Sequence, residues 1–317
     1  MKEKNNPRKR SVKYILALVA FGFLLSIALN AYLFFGNDKN SGTAGNGGAY
    51  AMLNPARKFI KQEDLIINFQ PLRDYLNDTY GAYQNISVYF EYQPTGSNIS
   101  LNKDAEFYPA SLLKVPVAMA VAKKIEKGEW KWSNELVLMS TDKDDKFGTL
   151  FKEPTNSTHT IEELVKRSLS DSDNTAHFML VRNLEMEEVQ DVYDHMGLPG
   201  FLETEGSLSA KRYSVMFRAL HNSSYLTEGH SQKLLSYLAH SPFDEYIQST
   251  LPENIVFSHK IGVDANKKVY LDSGIVYVPG RPYILTVMTK NKDEQKAKEI
   301  MADVSEKVYT YVSTYRE

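Results

Sequence analysis

Three short groups of residues carry side chains that could do chemistry together. The first is Ser111-Leu112-Leu113-Lys114. Residues at i and i+3 share one face of a helix, so Lys114 can reach the Ser111 hydroxyl. A serine at a helix N-terminus also feels the positive end of the helix dipole, which favours an alkoxide or an oxyanion. The amine can act as a base only where burial or a nearby cation keeps it neutral part of the time. The second group is Ser172-Asp173-Asn174, where a hydroxyl can relay a proton and an amide can hold a substrate amide by two hydrogen bonds. The third is Lys260-Ile261-Gly262: a lysine that could bind a carboxylate, beside a strand glycine that lets a backbone or a ligand come close. Together they offer nucleophilic catalysis by an activated serine.

Each group alone also has a plain structural reading. Ser111 and Lys114 could be an ordinary N-terminal serine and a surface lysine. The same spacing recurs at Ser100–Lys103 and Ser140–Lys143, but in polar, loop-like sequence; only the Ser111 copy opens an apolar helix, PASLLKVPVAMAVAKKI. Ser, Asp and Asn are all favoured helix caps, which would account for residues 172–174. Lys260 could be an exposed lysine next to a strand glycine. Pro116 lies past the first turn of the expected helix and should cost it a hydrogen bond.

The elements that must position these residues follow from periodicity. Residues 62–77 have helical spacing, with Leu65, Phe69, Leu72 and Leu76 on one stripe. Residues 86–92 (ISVYFEY) read as a strand, a turn follows at 94–98, and 99–102 is a second short strand. A long helix is expected over 110–127, closed by Gly128. Thr160 and Glu163 form a capping-box pattern ahead of Leu164, Val165 and Leu169. Further helices are expected over 175–183, 187–195 and 210–221. Three consecutive strands, 255–263, 268–278 and 283–289, precede a last helix over 292–314. Two strands, a block of helices, three strands and a helix predict an α+β fold: an antiparallel five-stranded sheet flanked by terminal helices, with an all-helical lobe and a cleft between lobe and sheet.

In this order the three motifs resemble those of the active-site-serine penicillin-recognising superfamily, most closely the class A β-lactamases. The phrases FYPASLLKVPVAMA, SDSDNTAHFML and LDSGIVYVPGRPYILTVMT carry the likeness, which covers roughly residues 64–311; the step of 61 residues from Ser111 to Ser172 fits the family's habit. The resemblance implies roles. Ser111 would be the acylated nucleophile and Lys114 its base or proton-transfer partner. Ser172 would pass a proton to the leaving nitrogen, and Asn174 would hold the substrate's side-chain amide. Lys260 would face the substrate carboxylate and tune Ser172. Gly262 would belong to the substrate-binding strand, and the backbone N–H groups of Ser111 and Val263 would form the oxyanion hole. It implies no cofactor and no metal.

Two departures qualify the likeness. The third motif of the family has Thr or Ser in its middle, and Ile261 stands there instead; a lost hydrogen bond to a charged group is worth roughly 1.5–3 kcal/mol. Class A enzymes also carry a glutamate, on a long loop between the second and third motifs, that activates the deacylating water. Here only 88 residues separate Ser172 from Lys260, and the loop has shrunk to about residues 200–207. Glu203 and Glu205 are candidates for the missing base, or solvated loop carboxylates. Without a base an acyl-serine would persist.

Length and composition bound the rest. The chain has 317 residues, 43% hydrophobic and 24% charged, which excludes wholesale disorder. A net charge of -2 leaves no basic field for nucleic acid, and the absence of cysteine excludes disulfides, thiolate metal sites and cysteine nucleophiles. No G-x-S-x-G, H-E-x-x-H, P-loop or G-x-G-x-x-G motif occurs. The run from Tyr14 to Phe35 is 22 residues of almost unbroken apolar sequence, and spanning a bilayer takes roughly 20. Lysines and arginines before it place the N-terminus in the cytoplasm. The expected organisation is a cytoplasmic tail at 1–13, a transmembrane anchor at 14–35, a flexible linker at 36–56 and an extracytoplasmic domain at 57–317; a cleaved signal peptide is the alternative. The expected partners are a β-lactam or a peptidoglycan peptide and, through the one N-terminal helix, the membrane. Three functions follow: an acyl-hydrolase of the class A type, a D-Ala-D-Ala-type peptidase, or a sensor that only binds wall fragments.

Overall fold

Stretches of chain far apart in sequence build one sheet. The computed structural model describes residues 50–54, 65–203 and 206–315. Its strands are β1 (Ile86–Tyr92), β2 (Ser97–Leu101), β3 (Glu135–Val137), β4 (Thr158–Thr160), β5 (Phe257–Asp264), β6 (Val269–Val276) and β7 (Tyr283–Lys290). Its α-helices, among the described residues, are α1 (Gln70–Tyr80), α2 (Lys114–Glu126), α3 (Ile161–Ser170), α4 (Asn174–Arg182), α5 (Met186–His195), α6 (Ala210–His221), α7 (Glu228–Leu238) and α8 (Glu294–Thr314). The main sheet has five strands in the order β2-β1-β7-β6-β5 and is antiparallel throughout, as expected. β3 and β4 form a separate small pair, which the sequence reading does not contain.

Alternation along the strands sorts two cores. Val88, Phe90, Tyr92, Leu285 and Val287 pack on one face with α1 and α8. Tyr89, Leu271, Ile275, Ile284 and Met288 face the helical lobe, α2 to α7. The same alternation turns Ser258, Lys260 and Gly262 of β5 toward the lobe, and His259 and Ile261 toward α8. Glu91 joins sheet to lobe: Arg218 Nε of α6 donates to both its carboxylate oxygens at 2.8 and 2.9 Å, and Tyr89 donates to it at 2.6 Å.

The structure corrects four expectations. The first helix begins at Gln70 rather than in the sixties, because Pro71 stands at its first turn, where a fixed φ starts helices, and residues 65–69 are not helical. Residues 62–64 lie outside the described residues. α7 has no counterpart in the sequence reading; Gly229 and three small or polar neighbours dilute its pattern of Ser231, Leu234, Leu235 and Leu238. Residues 50–54 of the expected linker are docked on the domain: Met52 N–H donates to Gln232, the Met52 carbonyl accepts from Tyr277, and Asn54 N–H donates to the His221 carbonyl. The Gly- and Asn-rich composition ends just before this apolar anchor. No helix among the described residues is long and apolar enough to cross a membrane; the expected anchor at 14–35 lies outside them.

The fourth concerns Pro116. The chain turns first through a 3₁₀ helix, Ala110–Leu113, so α2 starts at Lys114 and Pro116 falls in its first turn, where a missing N–H costs little. The Leu112 carbonyl, the acceptor that an N–H at 116 would have served, instead accepts from the buried Tyr213 hydroxyl at 2.8 Å. Tyr213→Phe removes that hydrogen bond, leaving the carbonyl only the Lys114 N–H, and is expected to lower unfolding stability by about 0.5–1.5 kcal/mol. Urea denaturation of parent and variant checks this; equal midpoints would show that the carbonyl needs no second donor.

Candidate active site

Ser111 is held by a strained turn and a close strand. Ala110 before it has φ 45°, and Ser172 has φ 55°. Neither is glycine, and left-handed backbone of this kind costs on the order of 1–3 kcal/mol and persists only where its surroundings impose it. Gly262 supplies the close approach: a Cβ there would lie 2.8 Å from the Pro109 carbonyl oxygen and 3.0 Å from Leu112. Any side chain at 262 would push β5 off the turn that carries Ser111.

Lys114, 2% exposed, lies at the centre of the site. Its Nζ is 3.0 Å from Ser111 Oγ, 2.8 Å from the Ser172 carbonyl oxygen, 3.3 Å from Ser172 Oγ and 2.5 Å from Asn174 Oδ1. An ammonium has three protons for four oxygens. The carbonyl and the amide oxygen can only accept, so a neutral amine can satisfy both and still turn its lone pair to the Ser111 hydroxyl. Burial pulls the Lys114 pKa down to about 8, against the opposing pull of Asp173 and Asp144. Roughly a tenth of the molecules then hold a neutral amine at pH 7.

The second motif is a hub as much as a ligand. Asp173 Oδ1 accepts from Ala176 N–H, capping α4, while Oδ2 accepts from the N–H groups of Thr149 and Leu150 at 2.7 and 2.9 Å. Asn174 Nδ2 donates to Asp144 at 2.8 Å, and Asn174 N–H donates to the Phe147 carbonyl. The loop 144–150 is thereby fixed to the motif, and Asp144, Phe147 and Gly148 border the site through it. Periodicity gives no sign of these three; the signal is only their hydrogen bonds across 30 residues.

Lys260 is fully buried, and its Nζ has no hydrogen-bond partner among the described residues. Burial first, then the Lys114 charge, holds its pKa well below the ordinary amine range. Behind it His259 Nδ1 lies 2.9 Å from Asp272 Oδ1, both fully buried, and Asp272 Oδ2 accepts from Ile247 N–H. Ile261 is buried against the α8-side core. Tyr277 N–H donates to the Val256 carbonyl, and the pairing continues in register, so the backbone groups of His259, Ile261 and Val263 point away from β6. β5 is the last strand of the sheet, so the Val263 N–H faces an open edge.

His177, one turn beyond Asn174, is a further residue that sequence reasoning missed. Its Nδ1 is buried without a hydrogen-bond partner among the described residues, and burial, with Lys114 and Lys260 nearby, lowers its pKa to about 3, so the ring is neutral. The other two Ser-Lys pairs do not form sites: Ser100 lies in β2, while Lys143 Nζ donates to the Glu153 carbonyl. Glu203 ends a short 3₁₀ turn, Phe201–Glu203, and Glu205 lies outside the described residues. The loop they belong to is anchored at its far end, where Leu208 and Phe107 exchange backbone hydrogen bonds of 2.9 and 3.0 Å. No group of three or more potential metal ligands occurs among the described residues.

Comparison with known proteins bears on the family and the fold. A sequence profile of the beta-lactamase enzyme family matches residues 71–312. The chain is similar to β-lactamase VEB-1 of Pseudomonas aeruginosa, at 30% identity over 86 residues, 26% of this chain and 29% of that protein. It thus spans under a third of the length of that curated relative. Its fold is similar to a mutant of PBP-A, solved as an acyl-enzyme complex with penicillin G, with a TM-score of 0.70 at 20% identity over 78% of this chain and 97% of that one. It is equally similar to a β-lactamase from Sphaerobacter thermophilus DSM 20745, with a TM-score of 0.70 at 22% identity, covering 79% of this chain and 100% of that one. These establish a β-lactamase and transpeptidase-like fold.

The depressed lysine gives a test on stability. Between about pH 8 and the ordinary amine value, the unfolded chain holds the Lys114 proton and the folded chain does not, so stability rises with pH through that window. Lys114→Met lacks this rise. Relative to the variant, the parent is expected to gain about 2 kcal/mol between pH 7 and pH 9.5. Urea unfolding at the two pH values measures it, and parallel behaviour of the two proteins overturns the assignment.

Proposed function

We propose that this chain, which belongs to the beta-lactamase enzyme family, is a membrane-anchored extracytoplasmic serine hydrolase of the class A type that forms an acyl-serine with a β-lactam or a related amide and releases it slowly. The observation that carries the reading is the 3.0 Å contact of Lys114 Nζ with Ser111 Oγ, made by an amine whose pKa burial has lowered to about 8. The neutral amine takes the Ser111 proton as Oγ attacks the carbonyl carbon. The N–H groups of Ser111 and Val263 receive the developing oxyanion; one such donor is typically worth about 2.7–4 kcal/mol. Ser172 Oγ, 3.3 Å from Lys114 Nζ, gives its proton to the amide nitrogen as the C–N bond breaks, and recovers one from Lys114. Asn174 orients the acyl side, and Lys260 receives the carboxylate that its own surroundings do not supply.

Slow release rests on the carboxylates around Ser111. Both oxygens of Asp173 are engaged by backbone N–H groups, three in all, so Asp173 serves the frame of the site. Asp144 Oδ1 accepts from Asn174 and from the Lys146 N–H, which ties that carboxylate to the second motif. Glu203 and Glu205 remain the candidate bases on a loop shorter than the class A loop. This balance supports a penicillin-binding or peptidase role in the cell wall as the second reading. The apolar run Tyr14–Phe35, preceded by lysines and arginines, supports the reading of one membrane span with the folded domain outside.

Intact-mass spectrometry of the full chain in detergent, mixed with benzylpenicillin, tests the reading. A single adduct is expected, absent in Ser111→Ala and lasting for hours, and its rate of formation should rise with pH to a midpoint near 8 as Lys114 loses its proton. An adduct that disappears within minutes would return an efficient hydrolase and point to Glu203 and Glu205. No adduct at any pH overturns β-lactam acylation.

A further inference from the structure

Large apolar side chains left in water are few among the described residues, and four of the ten stand together. They are Phe178 and Val181 on α4, with Val137 at the end of β3 and Met139 just beyond it. Arg182 ties the two pairs. Its Nη2 donates to the Val137 carbonyl at 2.7 Å and to Asp142 Oδ2 at 2.9 Å, its Nε donates to Asp142 Oδ1 at 2.8 Å, and the same Oδ2 accepts from the Met139 N–H. Asp142 is buried, so the guanidinium charge is matched from beneath the patch. The patch is also continuous with the site. At 3.6 residues per turn, Asn174, Phe178 and Val181 fall within about 60° of one another around α4. Asn174 Oδ1 faces Lys114 Nζ, which faces Ser111 Oγ, so the stripe begins at the reactive centre. Helix side chains lean toward the N-terminus, which tips the Phe178 ring toward Asn174. From Asn174 to Val181 the helix rises about 10 Å. Single exposed apolar residues need no explanation; a row of them that starts beside an activated serine does.

We propose that this stripe is the track for the acyl group of the substrate, and that the amides this protein takes carry an extended apolar chain on the acyl side. The inference deepens the acyl-serine reading and takes from it only the end at which the chain starts. Its physical ground is the surface itself. A short polar acyl group gains nothing from Phe178 and Val181, whereas a hydrocarbon chain laid over them leaves water along its length. Arg182 at the far end is matched by Asp142, so the track selects for apolar length and not for an anion. A second copy of the chain fits this surface less well. A stable interface takes roughly 800 Å² from each partner, and a row of side chains one helix wide offers far less.

Two penicillins that differ only in the acyl group, octanoyl and acetyl, test the track on the full chain in lipid nanodiscs. Intact-mass spectrometry follows adduct formation. The octanoyl compound is expected to react about ten- to fiftyfold faster. Phe178→Ser and Val181→Ser should each cut that ratio about threefold or more. Ile67→Ser, an exposed residue whose neighbours Ile66 and Phe69 pack on the α8-side core, should leave it unchanged. Equal rates for the two compounds in the parent, or a preference that both stripe variants keep, overturns the track. Occupancy is read separately from chemistry. The chain has no cysteine, so Val181→Cys in the Ser111→Ala background carries a unique thiol. The octanoyl compound should slow alkylation of that thiol by iodoacetamide about threefold or more. The acetyl compound at the same concentration should not, and Ile67→Cys should respond to neither. Protection of the thiol with no acylation of any protein sinks the acyl-serine reading and leaves the track. Acylation without acyl preference and without protection does the reverse. A parent dimer that Phe178→Ser dissolves, with the thiol unprotected by either compound, gives the patch to a second copy and overturns the track as well.

Discussion

Two amines buried together between a helical lobe and a sheet are the constraint around which this fold is arranged. Removing an ammonium from water is costly, and a second one nearby raises the cost. The structure treats the two differently. Lys114 is ringed by four oxygens from Ser111, Ser172 and Asn174, and two carboxylates act on it from a distance. Lys260 has no hydrogen-bond partner among the described residues, feels Asp272 and Asp171 only from a distance, and has the Phe243 ring beside it. The first lysine is therefore poised near neutrality and can exchange a proton. The second is left in want of an anion. The rest of the domain offsets the expense through two large apolar cores and the Glu91–Arg218–Tyr89 network that binds lobe to sheet.

The backbone strain belongs to the same account. Ala110 and Ser172, the left-handed residues of the site, each stand at or beside a hydroxyl that faces Lys114. Regular helix would carry Ser111 and Ser172 along their axes and away from a common point. A left-handed residue at each entry breaks the path so that both hydroxyls come within reach of one amine. Gly262 contributes through what it lacks, since only a bare Cα allows β5 to lie against the Pro109 carbonyl.

The five strands, the antiparallel sheet and the reach of Lys114 to Ser111 are legible in the sequence, because an apolar helix opening and strands of β-branched residues announce themselves within a few positions. The meeting of Ser111 with Ser172 and Asn174 is not local and is expected only from the resemblance that the three motifs carry together. What is not legible enters through loops. Asp144, Phe147 and Phe243 join the site by hydrogen bonds and ring contacts to residues far along the chain. Nothing in their own neighbourhoods repeats with a period. The docked segment 50–54 escapes because composition averages over a window, whereas docking depends on Met52 and Asn54 individually. Pro116 misleads for a related reason. Its effect depends on where the α-helix begins, and a 3₁₀ turn moves that start to Lys114.

β5 shows how one strand can serve two kinds of recognition. Its side chains alternate between the faces, so Lys260 and Gly262 turn to the lobe while His259 and Ile261 turn to α8. Its backbone groups alternate too, so those of Ser258, Lys260 and Gly262 pair with β6 while those of His259, Ile261 and Val263 face the open edge. The residue that offers an amine is therefore never the residue that offers an edge N–H. A ligand lying along the edge meets a side chain and a main-chain donor at neighbouring positions. Slipping the register by one residue would exchange both sets together, sending Lys260 into the α8 core and His259 into the cleft. The buried His259–Asp272 pair opposes such a slip, because it satisfies two polar groups only on the α8 face. The pair that never touches the cleft thus keeps the correct lysine in it.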